Sequence, residues 1–178
     1  MKQKILITLL VLLVLITFII IWRFDLNKLE EQKSVTNFEE CAALGQPIME
    51  SYPRQCRYNN QTFAENIGNE LAKINLIKIN NPRPNQKVGS PLTITGEARG
   101  NWFFEASFPI KIYDADKNLL GIGIAQAQGE WLTTDFVPFL ATLEFTLSQT
   151  PTGLLILEKD NPSGLAEYDD RLAVPISF

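Results

Sequence analysis

The chain has 178 residues, 46% of them hydrophobic and 20% charged, with a formal net charge of −4. It contains no histidine, which excludes Ser-His-Asp and Cys-His catalysis as well as zinc or haem sites with histidine ligands. Its two cysteines are too few for a four-thiolate metal site.

The first predicted element is an apolar run over residues 5–22, which holds no charge, glycine or proline. As a helix it spans roughly 27 Å, close to the hydrocarbon core of a bilayer. Residues 1–4 carry Lys2 and Lys4, and a short basic N-terminus favours a cytoplasmic location for this end. A cleaved signal peptide is the alternative, but the run is longer than a usual signal sequence and ends in Ile-Ile-Ile-Trp instead of small residues. We therefore predict a single-pass protein of the cell membrane with an uncleaved signal anchor over 5–22 and an extracytoplasmic C-terminal domain.

The part of the chain after the anchor is acidic. Fourteen of the sixteen Lys and Arg residues and all twenty Asp and Glu residues follow residue 22, so this part has a net charge of −6. Such a balance argues against a nucleic-acid partner. Residues 23–36 are polar and predict a juxtamembrane stalk, either as a helical continuation or as a flexible linker.

Residues 37–66 predict a small separate module. Asn37 and Glu40 have the spacing of a capping box, and Gly45 suits the residue after a helix, so a helix is expected over about 38–44. Two short strands, 55–58 and 61–64, flank an Asn-Asn pair that favours a tight hairpin turn.

This module is too small to bury much apolar surface. A bridge between Cys41 and Cys56 would contribute on the order of 3 kcal/mol for a loop of about fifteen residues. Two cysteines in an exported segment predict a structural disulfide, since their spacing is not the C-x-x-C of a redox site.

Residues 67–73 predict a linker, and residues 74–178 predict an all-β domain. Its short alternating or apolar runs, bounded by turn residues, number about seven and show no helical period. The pattern is typical of an immunoglobulin-like antiparallel β-sandwich. Pro175 indicates that the last strand lies at an edge or contains a bulge, because proline has no N–H for a sheet. The predicted strands cover residues 74–80, 92–98, 108–113, 119–128, 139–147, 153–160 and 171–178.

Residues 76–178 resemble the immunoglobulin-like GerM-adjacent domain family of bacterial sporulation, spore-germination and envelope proteins. The resemblance implies a sandwich fold, a role as an extracytoplasmic interaction module and no catalytic residues. A GerM domain itself is lacking, so the resemblance does not carry a sporulation role to this chain. The matching stretches are residues 81–100, 101–114, 129–139, 140–147 and 153–178.

The first candidate site is the aromatic stretch that begins with Trp102, Phe103 and Phe104. Three adjacent aromatic residues cannot all face inward on a strand, so one is expected to be partly exposed, or the stretch is not a regular strand. The functional interpretation is a platform on which a glycan or peptide stacks, and the alternative is core packing. The candidate platform consists of Trp102, Phe103, Phe104, Glu105 and Trp131.

Acidic residues offer weaker candidates. Asp114, Asp116 and Asn118 match the first half of a calcium loop, but a hairpin turn explains them. Glu167, Asp169 and Asp170, with Asp160 nearby in sequence, are a second candidate for calcium, and a polar loop before the last strand is the alternative. Glu105 and Glu130 are a conceivable acid and base for glycan hydrolysis, although no pattern brings them together. We predict no metal, no cofactor and no enzymatic activity.

The predicted function is therefore non-catalytic recognition of an unidentified envelope protein or glycan. The alternative is a structural spacer or assembly subunit of a membrane complex that associates by edge-strand pairing.

Overall fold

The computed structural model describes residues 12–23 and 34–178. Residues 12–23 are helical (α1). Within the two described ranges, no helix combines the length and the apolar character needed to cross a membrane. Residues 5–11 of the predicted anchor and residues 24–33 of the predicted stalk lie outside the described residues.

The chain divides into two compact units. The first comprises Met1–Glu50 and Gln55–Phe63, and the second comprises Ser51–Arg54 and Ala64–Phe178. Residues 51–54 and 64–66, which the predicted small module includes, thus fall in the second unit.

The first unit begins, after α1, with a short capped helix. Helix α2 (Phe38–Ala43) has Asn37 as its N-cap, whose Oδ1 accepts a hydrogen bond of 2.8 Å from the backbone N–H of Glu40. The helix ends before Gly45, which has a φ of +70°. The expected helix is thereby confirmed, with both of its end signals used as the sequence predicts.

A three-stranded sheet and a disulfide complete this unit. The sheet has the order β1-β2-β3, and Asn59 and Asn60 turn between β2 and β3 with φ values of +46° and +63°. Cys41 and Cys56 are bonded to each other and fully buried, and Phe38 packs with them. The hairpin and the disulfide are confirmed, whereas the additional strand β1 was not predicted. The strands are β1 (Ile48–Met49), β2 (Gln55–Tyr58) and β3 (Gln61–Ala64).

The second unit consists of one short helix and seven strands. Helix α3 (Glu70–Lys73) lies within the predicted linker 67–73, where its four residues give too little periodicity to be recognised. The strands are β4 (Ile77–Asn81), β5 (Leu92–Arg99), β6 (Ser107–Asp114), β7 (Leu119–Ala127), β8 (Phe136–Leu143), β9 (Thr152–Glu158) and β10 (Arg171–Ser177).

The seven strands close around a single core. Their order is β10-β9-β6-β7-β8-β5-β4, and every pairing is antiparallel. Alternate residues of the strands are buried and join one apolar cluster, so one face of the sheet packs against itself. The rings of Phe108 on β6 and Phe139 on β8 are 5.0 Å apart although β7 separates these strands in the sheet order. The predicted all-β, immunoglobulin-like domain of about seven strands is confirmed.

The outer edge of β10 is covered by residues of the same unit. The backbone N–H of Asn69 donates to the Ala173 carbonyl at 3.3 Å, and the side-chain Oδ1 of Asn69 accepts from the Ala173 N–H at 2.7 Å. Further along, the Pro175 carbonyl accepts from the Asn85 N–H at 2.8 Å, and Ser177 bonds to residues 86 and 88. Pro175 therefore lies in an edge strand, as predicted, at a position where its missing N–H costs no sheet hydrogen bond.

Candidate functional site

The predicted aromatic platform is divided between core and surface. Trp102 and Phe103 are only 1% and 4% exposed and belong to the core cluster, so their rings are closed to a ligand at the surface. Phe104 is 40% exposed, and Glu105 is exposed beside it. Trp131 is partly buried against the core. The expectation that one of the three adjacent aromatic residues faces solvent thus applies to Phe104.

The local backbone explains this division. Gly100–Trp102 forms a 3-10 helix instead of a strand, which turns two successive aromatic side chains inward. Phe104 and Ser107 then exchange two backbone hydrogen bonds of 3.0 Å around Glu105 and Ala106, whose φ values are +50° and +61°. This is a two-residue hairpin turn in which both central residues are left-handed, a conformation that Asn-Gly usually supplies. The turn exposes Phe104, which lies just before β6.

Three loops meet at this end of the sandwich. A Cβ at residue 100 would lie 1.9 Å from the carbonyl oxygen of Thr133 and 2.3 Å from that of Trp131, so only glycine permits this approach. The backbone N–H of Asp160 donates to the Trp102 carbonyl at 3.0 Å. We call the surface formed by residues 100–106, 128–135 and 159–170 the acidic loop end.

The acidic loop end carries most of the unbalanced charge of the sandwich. Its loops contain seven acidic residues and one basic residue, Lys159, whereas the loops at the opposite end, residues 82–91, 115–118 and 144–151, contain two acidic and three basic residues. Among the residues that the structure describes, Asp170 is the one acidic member in an ion pair, at 2.5 Å from Lys73. The seven acidic residues are Glu105, Glu130, Asp135, Asp160, Glu167, Asp169 and Asp170.

Exposed apolar side chains lie among these charges. Phe104 is 40% exposed, Leu132 75%, Leu165 53% and Tyr168 52%. The last three were missed from the sequence, because single apolar residues in loops have no periodicity that marks them as exposed. Loops on a rigid scaffold commonly carry binding residues, and aromatic side chains are enriched at interfaces.

The two carboxylates considered for hydrolysis lie on different loops of this end. Glu105 occupies the hairpin turn, and Glu130 Oε1 accepts the backbone N–H of Leu132 at 3.0 Å. Both residues are exposed. This hydrogen bond stabilises the loop that contains Glu130 and Leu132.

The predicted turn after β6, which was also a candidate calcium loop, is stabilised by hydrogen bonds between its own residues. The carboxylate of Asp114 accepts from the backbone N–H of Asn118 at 2.8 Å and from its Nδ2 at 2.9 Å. These bonds to Asn118 lower the pKa of Asp114 below its ordinary value. Within residues 12–23 and 34–178, no group of three or more His, Cys, Asp or Glu side chains is arranged to hold a metal ion.

A small cavity of about 180 Å³ lies beside α3 and β4. Glu70 and Arg83 line it and form an ion pair of 2.9 Å, and Arg83 also donates to the Tyr52 hydroxyl at 2.7 Å. Burial raises the pKa of Glu70, and the nearby Arg83 opposes this effect. The second carboxylate oxygen of Glu70 is buried without a hydrogen-bond partner. The ion pair between Glu70 and Arg83 therefore connects α3 to the residues that follow β4 at the edge of the sheet.

A second ion pair connects residues 51–54 to the start of the sandwich. Arg54 donates to both carboxylate oxygens of Glu65, at 2.6 and 2.8 Å, and Asn85 donates to the same carboxylate at 3.2 Å. The hydrogen bonds from Arg54 are the largest influence that lowers the pKa of Glu65.

The stability contributed by this pair is expected to depend on pH. Because the pKa of Glu65 is lowered on folding, its contribution is present at neutral pH and is lost as the pH falls below the ordinary glutamate pKa of about 4.3. Arg54 is half exposed, so Glu65→Gln should cost about 1 kcal/mol at pH 7. The melting temperatures of the wild-type and Glu65→Gln proteins should differ at pH 7 and converge as the pH is lowered to 3. Glu144→Gln, at an exposed site, serves as control, and a constant difference across the range would contradict the prediction.

Seven antiparallel strands around one core are typical of an immunoglobulin-like domain. A family model described as the immunoglobulin-like domain of bacterial spore germination matches residues 76–165, just over half of the chain. The chain therefore belongs to this family, and the resemblance read from the sequence is confirmed. Comparisons with curated proteins and with solved structures give no match.

Proposed function

We propose that this chain is a non-catalytic binding protein of the bacterial cell envelope that recognises a protein or glycan through its acidic loop end. Residues 5–22 anchor it in the cytoplasmic membrane, with the N-terminus inside and the sandwich outside. The apolar run supports this placement, and so does the Cys41–Cys56 disulfide, since disulfides persist in extracytoplasmic compartments.

Protein purified from membranes should then begin at or near Met1, and an N-terminus near Ser34 would refute the anchor.

The observation that carries the proposal is the combination of exposed apolar side chains with uncompensated acidic charge at one end of the domain. Apolar anchors supply affinity when they are desolvated by a partner. The surrounding carboxylates favour partner surfaces with basic groups and increase the rate of encounter with them. The exposed rings of Phe104 and Tyr168 can also stack on the apolar face of a sugar.

The alternative is a structural spacer or assembly subunit that associates by edge-strand pairing. The hydrogen bonds that Asn69 and residues 85–88 make to β10 count against this mechanism at that edge, since an added strand would have to displace them. The family description names bacterial spore germination, and this chain alone does not support such a role, so the proposal does not include it.

Photo-crosslinking in intact cells tests recognition by the loop end. A photoreactive residue replaces Phe104 in one protein, and in a matched control it replaces Leu147, which is 86% exposed in a loop at the opposite end. We expect one dominant partner to be captured from position 104 and not from position 147. Equal capture from both positions would contradict the proposal.

Charge reversal provides a second arm of the experiment. Glu105→Lys combined with Glu130→Lys should reduce capture from position 104 by about tenfold or more, because both carboxylates lie on the proposed surface. Glu144→Lys, at the opposite end, should leave capture unchanged. A loss of capture that is the same for both variants would indicate a general effect of net charge.

A further inference from the structure

A buried carboxylate at the start of helix α3 has one oxygen to which no group donates. Glu70 is 6% exposed, and its Oε1 accepts from Arg83 Nη1 at 2.9 Å. Its other oxygen, Oε2, is buried and has no hydrogen-bond partner within residues 12–23 and 34–178. A buried acceptor without a donor is costly, and more so when it carries charge. A donor from a ligand would remove this cost.

The two basic residues that line the cavity beside Glu70 are engaged with other groups. Arg83 Nη1 also donates to the Ile79 carbonyl at 2.6 Å. Lys78 Nζ donates to Glu97 at 2.8 Å, so it forms an ion pair of its own. Because each basic side chain is paired with one carboxylate, the charges at the cavity cancel. A ligand that binds there without leaving an unpaired charge is neutral.

The ion pair of Glu65 is similar in burial but has a complete set of donors. Glu65 is 8% exposed, and its two carboxylate oxygens accept from Arg54 at 2.6 and 2.8 Å. Asn85 adds a third hydrogen bond of 3.2 Å. Glu65 and Glu70 lie in the same compact unit. The unfilled acceptor therefore distinguishes Glu70 from an otherwise comparable buried glutamate.

The cavity beside α3 and β4, which we call the Glu70 cavity, has the size of a site for one side chain. Its volume of about 180 Å³ is below the roughly 300–1,000 Å³ of sites for drug-sized ligands. Leu71 and Ile74 are 49% and 42% exposed, so part of its apolar lining is open to solvent. The lining favours an apolar group that carries one donor. Its aliphatic residues are Leu71, Ile74, Ile77 and Ile79.

We propose that the Glu70 cavity binds a tryptophan side chain of a partner protein, with the indole N–H donating to Oε2 of Glu70. An indole combines a large apolar body with one donor and no acceptor, which matches an aliphatic lining and one unfilled acceptor. A lysine ammonium would also donate, but it would place an additional positive charge beside Arg83. Tryptophan is also enriched among the residues that dominate binding energies at interfaces.

This site is separate from the acidic loop end. None of the residues that line the cavity belongs to residues 100–106, 128–135 or 159–170. The proposal therefore does not depend on recognition by the acidic loop end, and each can fail without the other.

Methyl NMR of the full chain in one mild detergent tests the proposal with two neutral probes. N-acetyl-tryptophan amide presents the indole N–H, and its benzothienylalanine counterpart has sulfur in place of that group. The tryptophan probe should shift the methyl signals of the three cavity isoleucines, Ile74, Ile77 and Ile79. It should leave those of Ile122 and Ile124 unchanged, although these are 58% and 49% exposed on β7.

The affinities of the two probes should differ because one of them lacks the donor. For a probe of this size, the dissociation constant of the tryptophan probe should be about 0.1–1 mM. The benzothienylalanine probe should bind about tenfold more weakly, since the hydrogen bond to a charged acceptor is lost.

Glu70→Gln separates the hydrogen bond from the shape of the cavity. Arg83 requires the oxygen of the new side chain, so an NH₂ donor takes the place of Oε2 and opposes the indole N–H. The variant should bind both probes equally weakly. Glu65→Gln is the matched control and should keep the tenfold preference. Ile74→Ser provides a second variant should Glu70→Gln melt at a lower temperature, and it should weaken both probes alike.

Several outcomes would overturn the proposal. If the tryptophan probe produces no shifts at the three cavity isoleucines up to its solubility limit, the cavity holds water only. Equal binding of the two probes by the wild-type chain would exclude a hydrogen bond to Glu70, and so would a preference that persists in Glu70→Gln. Shifts of the same size at Ile122 and Ile124 would show non-specific apolar binding.

Discussion

Replacing Trp102 by alanine should lower the free energy of unfolding of the sandwich by about 3–5 kcal/mol, the cost typical of removing a buried tryptophan. Its side chain is 1% exposed and packs in the same cluster as the inward residues of all seven strands. For a domain of this size the melting temperature should fall by on the order of 10–20 °C. Thermal or denaturant unfolding measures this directly.

Two further variants make the result specific. Trp102→Phe should cost much less than the alanine variant, because it keeps most of the apolar volume and removes an indole N–H that is buried without a hydrogen-bond partner. Leu132→Ala, at a residue 75% exposed in the acidic loop end, should change stability by less than about 0.5 kcal/mol. An unchanged melting temperature for Trp102→Ala would mean that the ring does not pack in the core, and its use as a stacking platform would regain support.

The aromatic stretch shows where sequence reasoning about this domain succeeds and where it stops. Alternation along a strand correctly predicts that three adjacent aromatic residues cannot all be buried by a regular strand. Which residue is exposed depends on the 3-10 helix Gly100–Trp102 and on the left-handed turn at Glu105 and Ala106. Neither residue of that turn favours such a conformation, so the tertiary structure must impose it.

The sequence predicted structural features more accurately where they depend only on neighbouring residues. The Asn37 cap, the Gly45 terminus and the Asn59-Asn60 turn each depend on a few consecutive residues, and each was predicted. The exposure of Ile122 and Ile124 on β7 was not predicted, because it depends on how closely residue 144 approaches Gly121, more than twenty positions away. The acidic loop end was missed as a surface for the same reason, since its three loops are brought together only by the strand directions.

The second large effect concerns the disulfide of the small unit. Replacing both Cys41 and Cys56 by serine should destabilise this unit by about 3 kcal/mol, as expected for opening a loop of fifteen residues, and should place two hydroxyls in a fully buried site. Helix α2 has six residues, far fewer than an isolated helix needs for stability in water. The buried core of this unit consists of the two cysteines and Phe38, with a few partly buried neighbours.

Hydrogen exchange can follow the two units of the double variant separately. Amides of residues 34–50 and 55–63 should lose protection, while those of β5, β6 and β8 in the sandwich should keep it, because the sandwich has a large core of its own. Trp102→Ala is the reciprocal control and should reduce protection in the sandwich strands. Equal loss of protection in both units on removal of the disulfide would show that they unfold cooperatively. In that case the bridge would stabilise the recognition domain as well, and its reduction would abolish capture at the acidic loop end.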